Sequence, residues 1–163
     1  MTSQTLPTAA HEHHERLLEH VNRIPDVADA LLADKPEAAC ARIAEIRQFL
    51  DGTLLPHMAA AERALYPQLE RMFQNRHSMA PMRREHDRIR ELVAEFGGLV
   101  DKDRGTVTLG RVLVLRRVLF QVYALLKVHI AEEEAYLRIV EHGVSDDVAE
   151  AVTAALAHPV AGS

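Results

Sequence analysis

His129-Ile-Ala-Glu-Glu133 places an imidazole and a carboxylate four residues apart on a segment that otherwise reads as a buried helix. On an α-helix, positions i and i+4 lie about 40° apart around the axis and one turn removed. Both side chains can therefore reach the same point. A charged carboxylate is costly to bury unless a partner compensates it. A metal ion is one such partner, and three further histidines at core-facing positions point the same way.

Outward from this stretch the apolar spacing stays helical, and Gly and Pro fall at the breaks. Leu109, Val112, Leu113, Leu119, Val122, Leu126, His129, Glu133 and Leu137 share a helix expected from about Thr106 to Glu141, stopped by His142-Gly143. Before it, Met82, His86, Ile89, Val93 and Phe96 define a helix that begins at Pro81 and weakens at Gly97-Gly98, with Asn75 to Ala80 as the preceding turn. A longer helix from about Pro36 to Phe73 carries Ile43, Ile46, Leu50, Leu54, His57, Ala61, Leu65, Leu69 and Met72. Asp51-Gly52 and Pro56 threaten its middle, so a bend is expected just before His57. The first helix, about Thr8 to Leu32, presents His14, Leu17, Leu18, Val21, Ile24, Ala28 and Leu31, and Pro25 should kink it or weaken one turn. Ser145-Asp146-Asp147 can cap a short fifth helix from Val148 to Ala157 (about 146–157 with its cap), ended by Pro159.

Long amphipathic helices joined by short turns favour an all-α fold, an up-down-up-down four-helix bundle with a short C-terminal fifth helix. A length of 163 residues fits a single domain, with the core bundle over about 8–142. The net charge of −5 gives no basic field for nucleic acid. No uncharged apolar run approaches the roughly 18 residues that span a bilayer. Met1 to Ala10 has neither a basic start nor an apolar run, so it does not read as a secretory signal. The one cysteine, Cys40, cannot form an internal disulfide, which suits a reducing, cytoplasmic location.

The chain has ten histidines, so position must separate them. His14, His57, His86 and His129 fall on the inner stripes, one per long helix. A bundle core lets facing helices gather ligands around a common point. Imidazole with carboxylate suits iron, manganese or zinc, and there is no cysteine cluster to suggest a sulfur site. His11, His13 and His20 flank His14 and read as a solvated helix end, with His13 or His20 as alternatives to His14 itself. His77, His142 and His158 lie in turns or at helix ends and need no chemistry.

Four segments together resemble the hemerythrin-like (HHE cation-binding) domain family. They are His14-Glu-Arg-Leu-Leu-Glu-His20, His57-Met-Ala-Ala-Ala-Glu62-Arg-Ala-Leu-Tyr-Pro67, Met82-Arg-Arg-Glu-His86-Asp-Arg-Ile and His129-Ile-Ala-Glu-Glu-Glu-Ala-Tyr136. The resemblance covers about residues 8–142, and the ordered set is far more specific than any one piece. It implies a four-helix bundle around a non-haem di-iron centre, in which histidines cap the irons and carboxylates bridge them. Carried over, His14, His57, His86 and His129 become terminal ligands and Glu133 a bridge.

Two positions depart from the family pattern. Ala61 stands where a second bridging Glu is expected, four residues after His57. The nearest carboxylate, Glu62, is at i+5, about 140° around the helix from His57. It is a candidate ligand if a bend or a long rotamer brings it in, and otherwise a solvated surface residue. Met82 stands one turn before His86, where oxygen-carrying hemerythrins have another histidine, which argues against simple reversible oxygen transport. With fewer carboxylates, one of the two metal positions should be weakly held or empty. Tyr66 and Tyr136 are expected to pack in the core with hydroxyls at its boundary, hydrogen bonding to a ligand carboxylate being the alternative. Glu132 and Glu134 are expected in solvent, with Glu134 a spare ligand.

The resemblance implies a protein that binds O2, peroxide or NO at its di-iron centre for sensing, redox protection or iron handling. Two further readings stand beside it. One is a peroxide-decomposing or oxidase enzyme at the same centre, and the other is a bundle with a reduced or lost site acting as an interaction module. Buried unpaired polar groups cost about 1–3 kcal/mol each. Keeping four inner histidines and Glu133 therefore speaks against a fully lost site.

Overall fold

A computed structural model describes residues 7–33, 35–101 and 108–143. They form α1 (Pro7–Ala33), α2 (Pro36–Phe49), a π-helical turn (Leu50–Leu54), α3 (Leu55–Met72), α4 (Ala80–Asp101) and α5 (Leu109–Gly143). Among the described residues there is no strand, and no helix is long and apolar enough to cross a membrane. The π turn joins α2 to α3 without a break, so the bundle has four rods. Both α1 and α4 pack along α5, α3 meets α4 and α5, and α2 lies against α1. This is the up-down-up-down arrangement expected from the sequence. The expected fifth helix from Val148 to Ala157, and the expected start of the fourth rod at Thr106, lie outside the described residues.

Lys35 is extended (φ −65°, ψ 152°) and Pro36 takes the first helical turn of α2, where its missing N–H costs nothing. Pro25 lies inside α1 without ending it. The bend expected before His57 takes a definite form. The Leu55 N–H bonds to the carbonyl of Leu50, five residues back rather than four. Pro56 has no N–H to donate, and its ring would press on the Gly52 carbonyl in a regular α-turn. Widening that turn relieves the clash and admits one extra residue. Leu50 and Leu54 stay buried at its two ends, and His57, Met58, Ala61 and Leu65 are buried after it.

The second rod ends at a Schellman cap. The Asn75 N–H bonds to the Glu70 carbonyl and the Gln74 N–H to the Arg71 carbonyl. Gln74 takes the left-handed conformation this cap requires (φ 50°). Asn75 Oδ1 then accepts the His77 N–H, and α4 starts at Ala80, one residue earlier than expected. Gly97 and Gly98 lie inside α4, which runs on to Asp101.

The core is divided. One apolar cluster fills the bundle from Leu17, Val21 and Ile24 through Leu54 and Met58 to Phe96, Leu119 and Leu126. A smaller one joins Ala60, Ala61, Leu65, Tyr66, Leu69, Met79, Met82, Leu137 and Val140 around the α3–α4 turn. Between them lies a layer of buried histidine and glutamate.

Candidate metal centre

Each rod contributes to this layer from its apolar face, because the helical repeat that buries the leucines buries these residues with them. His14 of α1, His57 of α3, His86 of α4, and His129 and Glu133 of α5 are all 1% exposed or less. His14, His57 and Glu133 bring one ligand atom each within 4.8 Å of one another, and so do His86, His129 and Glu133. Glu133 belongs to both groups. Its Oε2 lies 3.0 Å from His57 Nε2 and 3.3 Å from His14 Nε2. Its Oε1 lies 2.9 Å from the Tyr66 hydroxyl and 3.9 Å from His129 Nε2.

The outer nitrogens of the four histidines are fixed by other side chains. His14 Nδ1 lies 2.6 Å from Glu134 Oε1, which shares the same carboxylate with His11 Nδ1, also at 2.6 Å. His86 Nδ1 lies 2.7 Å from Glu62 Oε1, and His129 Nδ1 lies 2.9 Å from Glu85 Oε2. His57 Nδ1 faces His13 Nε2 at 3.1 Å. A carboxylate can only accept, so the Nδ1 atoms of His14, His86 and His129 carry the hydrogens. In the neutral rings the inner Nε2 atoms are then bare lone pairs.

That assignment leaves lone pairs facing lone pairs. His86 Nε2 and His129 Nε2 are 2.9 Å apart. His14 Nε2 is buried with no hydrogen-bond partner and points at a carboxylate oxygen. Buried acceptors set against each other repel unless positive charge lies between them. A cation bonded at about 2.1 Å to nitrogen and oxygen donors keeps neighbouring donors about 3 Å apart. The donor set, its spacing and the orphaned His14 nitrogen therefore fit a cation in each group.

Without a cation, protons take up the same role. Burial opposes charge on His14, yet its contacts with Glu133 and Glu134 outweigh burial and raise its pKa from 6.5 to about 9. Burial would raise Glu133, but the charge of His57 and its close contacts with His14 and His57 hold it well below the usual carboxylate range. Burial, then the charge of His129, lowers His86 to about 4. Burial, then His57 and His14, lowers His13 to about 4, which leaves it neutral and able to accept the His57 N–H.

The structure brings together five of the six residues singled out as ligands and sets the sixth apart. Glu62 is half-buried, holds the outer nitrogen of His86, and is itself held by Arg90 at 2.8 Å. It lies on the helix face about 140° from His57, and with the bend before His57 in place its carboxylate meets His86 Nδ1 and Arg90 rather than the inner nitrogens. Although burial opposes ionisation, Arg90 and His86 lower its pKa, so it is a charged acceptor. Ala61 is buried in the smaller apolar cluster and adds no donor.

Several neighbours differ from expectation. His13 is buried rather than solvated, because it reaches across to His57. Glu134 is half-buried and occupied by two histidines rather than free in solvent. His20, by contrast, is exposed as expected of a solvated helix end, and stacks on Phe49 at 4.9 Å. Tyr66 is fully buried, not at the boundary, and its hydroxyl lies 3.1 Å from His86 Nε2 as well as 2.9 Å from Glu133. Burial, then the charge of Glu133, holds its phenol far above its ordinary pKa. Glu85 was not singled out, and only its place immediately before His86 could have drawn attention to it.

A four-rod bundle with two histidine–carboxylate groups sharing one glutamate defines a helical cation-binding protein. A family model of the hemerythrin HHE cation binding domain matches residues 6–140, and the chain belongs to that family. Neither a comparison with curated proteins nor one with solved structures gives a match.

Proposed function

We propose that this single-domain chain is a non-haem di-iron protein of the cytoplasm that binds O2, peroxide or NO for sensing, redox protection or iron handling. The observation that carries the reading is the sharing of Glu133 between two groups of donors. One cation would be held by His14, His57 and Glu133, and the other by His86, His129 and Glu133. Iron supplies the one-electron chemistry that small oxygen and nitrogen ligands require.

The protein's own contribution is orientation and enclosure. Glu134, Glu62 and Glu85 fix three imidazoles with their Nε2 atoms inward and make them more basic ligands. The flanking apolar clusters keep water from the layer. Ala61 adds only a methyl group where the family pattern has a second carboxylate, so that position supplies no protein donor.

Metal analysis and an absorption spectrum of aerobically purified protein test the proposal. Two irons per chain with near-ultraviolet oxo-bridge absorption are expected. Failure to take up iron after reconstitution would overturn it.

A further inference from the structure

The two cation positions are built differently. At the His14/His57 position, His14 Nε2 meets only a carboxylate oxygen. At the other, the Tyr66 oxygen stands among the donors, 3.1 Å from His86 Nε2 and 2.9 Å from Glu133 Oε1. The ring continues from His86 Nε2 to His129 Nε2 at 2.9 Å and from there to Glu133 Oε1 at 3.9 Å. Four donor atoms thus close a loop whose edges match the roughly 3–4 Å separations around a single cation.

Hydrogen bonding alone does not account for the Tyr66 contact with His86. The hydroxyl has one hydrogen, and the Glu133 carboxylate takes it. Its oxygen then faces a His86 nitrogen whose own hydrogen is committed, through Nδ1, to Glu62. Two lone pairs 3.1 Å apart in a buried site are explained by a shared positive charge. Tyr66 stands five residues beyond Ala61 on α3 and is fully buried, so it brings an oxygen from the same helix into the layer that Ala61 leaves short of one.

We propose that Tyr66 is the fourth protein donor to the cation at the His86/His129 position, bound as phenolate. The inference rests on the di-iron reading above. The O–H bond breaks as the oxygen–metal bond forms, and the proton is released to water. No oxidation accompanies this step. A trivalent cation beside the oxygen favours the phenolate, as a nearby ion's charge overturns the preference of a buried acid. The position with three protein donors, at His14 and His57, is then the one that receives an exogenous small ligand.

Resonance Raman and visible absorption of the full chain, loaded with iron(II) and oxidised by air, test this. The parent should show a phenolate-to-iron(III) charge-transfer band with tyrosinate ring modes. The chain has three tyrosines, so Tyr123→Phe and Tyr136→Phe should keep the band and Tyr66→Phe should lose it. Two irons bound without tyrosinate modes in the parent would overturn the Tyr66 assignment and leave the di-iron reading intact. Absence of iron uptake would instead overturn both. If Tyr66→Phe does not fold, the parent spectrum and the other two variants still decide, because loss of the band in either would assign the phenolate elsewhere.

Discussion

His13 Nε2 lies 3.1 Å from His57 Nδ1, so His57 alone among the four inward histidines is braced by an imidazole instead of a carboxylate. The brace is a neutral acceptor, which orients the ring without adding the negative charge that Glu134, Glu62 and Glu85 bring to theirs. His13→Ala should lower metal affinity about 10–100-fold while two cations still bind. Competition with a chromophoric chelator measures this, and unchanged affinity would mean that the contact does not position His57.

Glu62 separates a ligand from an orienting group. It touches His86 on the nitrogen away from the layer. Glu62→Gln should therefore keep two cations per chain and weaken the His86/His129 position by about 10–100-fold. A stoichiometry of one in this variant would show instead that Glu62 is a ligand.

The chelator-treated protein should be most stable near pH 6.5. His13 and His86 have pKa values lowered from 6.5 to about 4, so the unfolded chain takes up protons first as pH falls through that window, and stability drops. Glu133 extends the loss at lower pH, because its depressed folded pKa gives stability that disappears as it protonates. His14 acts in the opposite sense. Its pKa is raised from 6.5 to about 9, so its contribution is complete below 6.5 and is lost as pH rises through 9. Urea midpoints across this range give the measurement. A midpoint independent of pH between 6.5 and 4 would contradict the protonation pattern.

Gly98 is exposed, lies inside α4, and has nothing within 4 Å of where a Cβ would stand. Gly98→Ala should raise stability by about 0.5–1 kcal/mol, since alanine loses less backbone entropy in a helix. Thermal melting of both proteins with metal removed checks this. A lower melting temperature would show that the α4 backbone is not regular at that point.

Much of the bundle was legible because its signals are local. The apolar repeat and the Gly and Pro breaks located the rods, and the same repeat put His14, His57, His86, His129 and Glu133 on inner faces. The bend before His57 was legible from Asp51-Gly52 and Pro56, though its form as a widened turn was not, since relief of the Pro56 clash can take several shapes. The partners of the outer nitrogens were not legible. Glu85 and His129, or His13 and His57, meet only through the relative rotation and register of two rods, which neither segment encodes alone. Tyr66 was expected in the core, where it lies, but its bond to a ligand carboxylate stood only as the alternative, because the acceptor for its hydroxyl lies on α5.

The layer of histidine and glutamate crosses the whole section of the bundle and keeps Leu65, Leu69 and Met82 apart from Leu54, Ile89 and Leu126. Hydrocarbon contacts therefore pass poorly from one end of the protein to the other. When ions bridge that layer, the two ends should open together in hydrogen exchange. When a chelator strips the ions, amides around the α3–α4 turn should exchange as a separate, weaker unit. Bound cations would then govern how many pieces the fold behaves as.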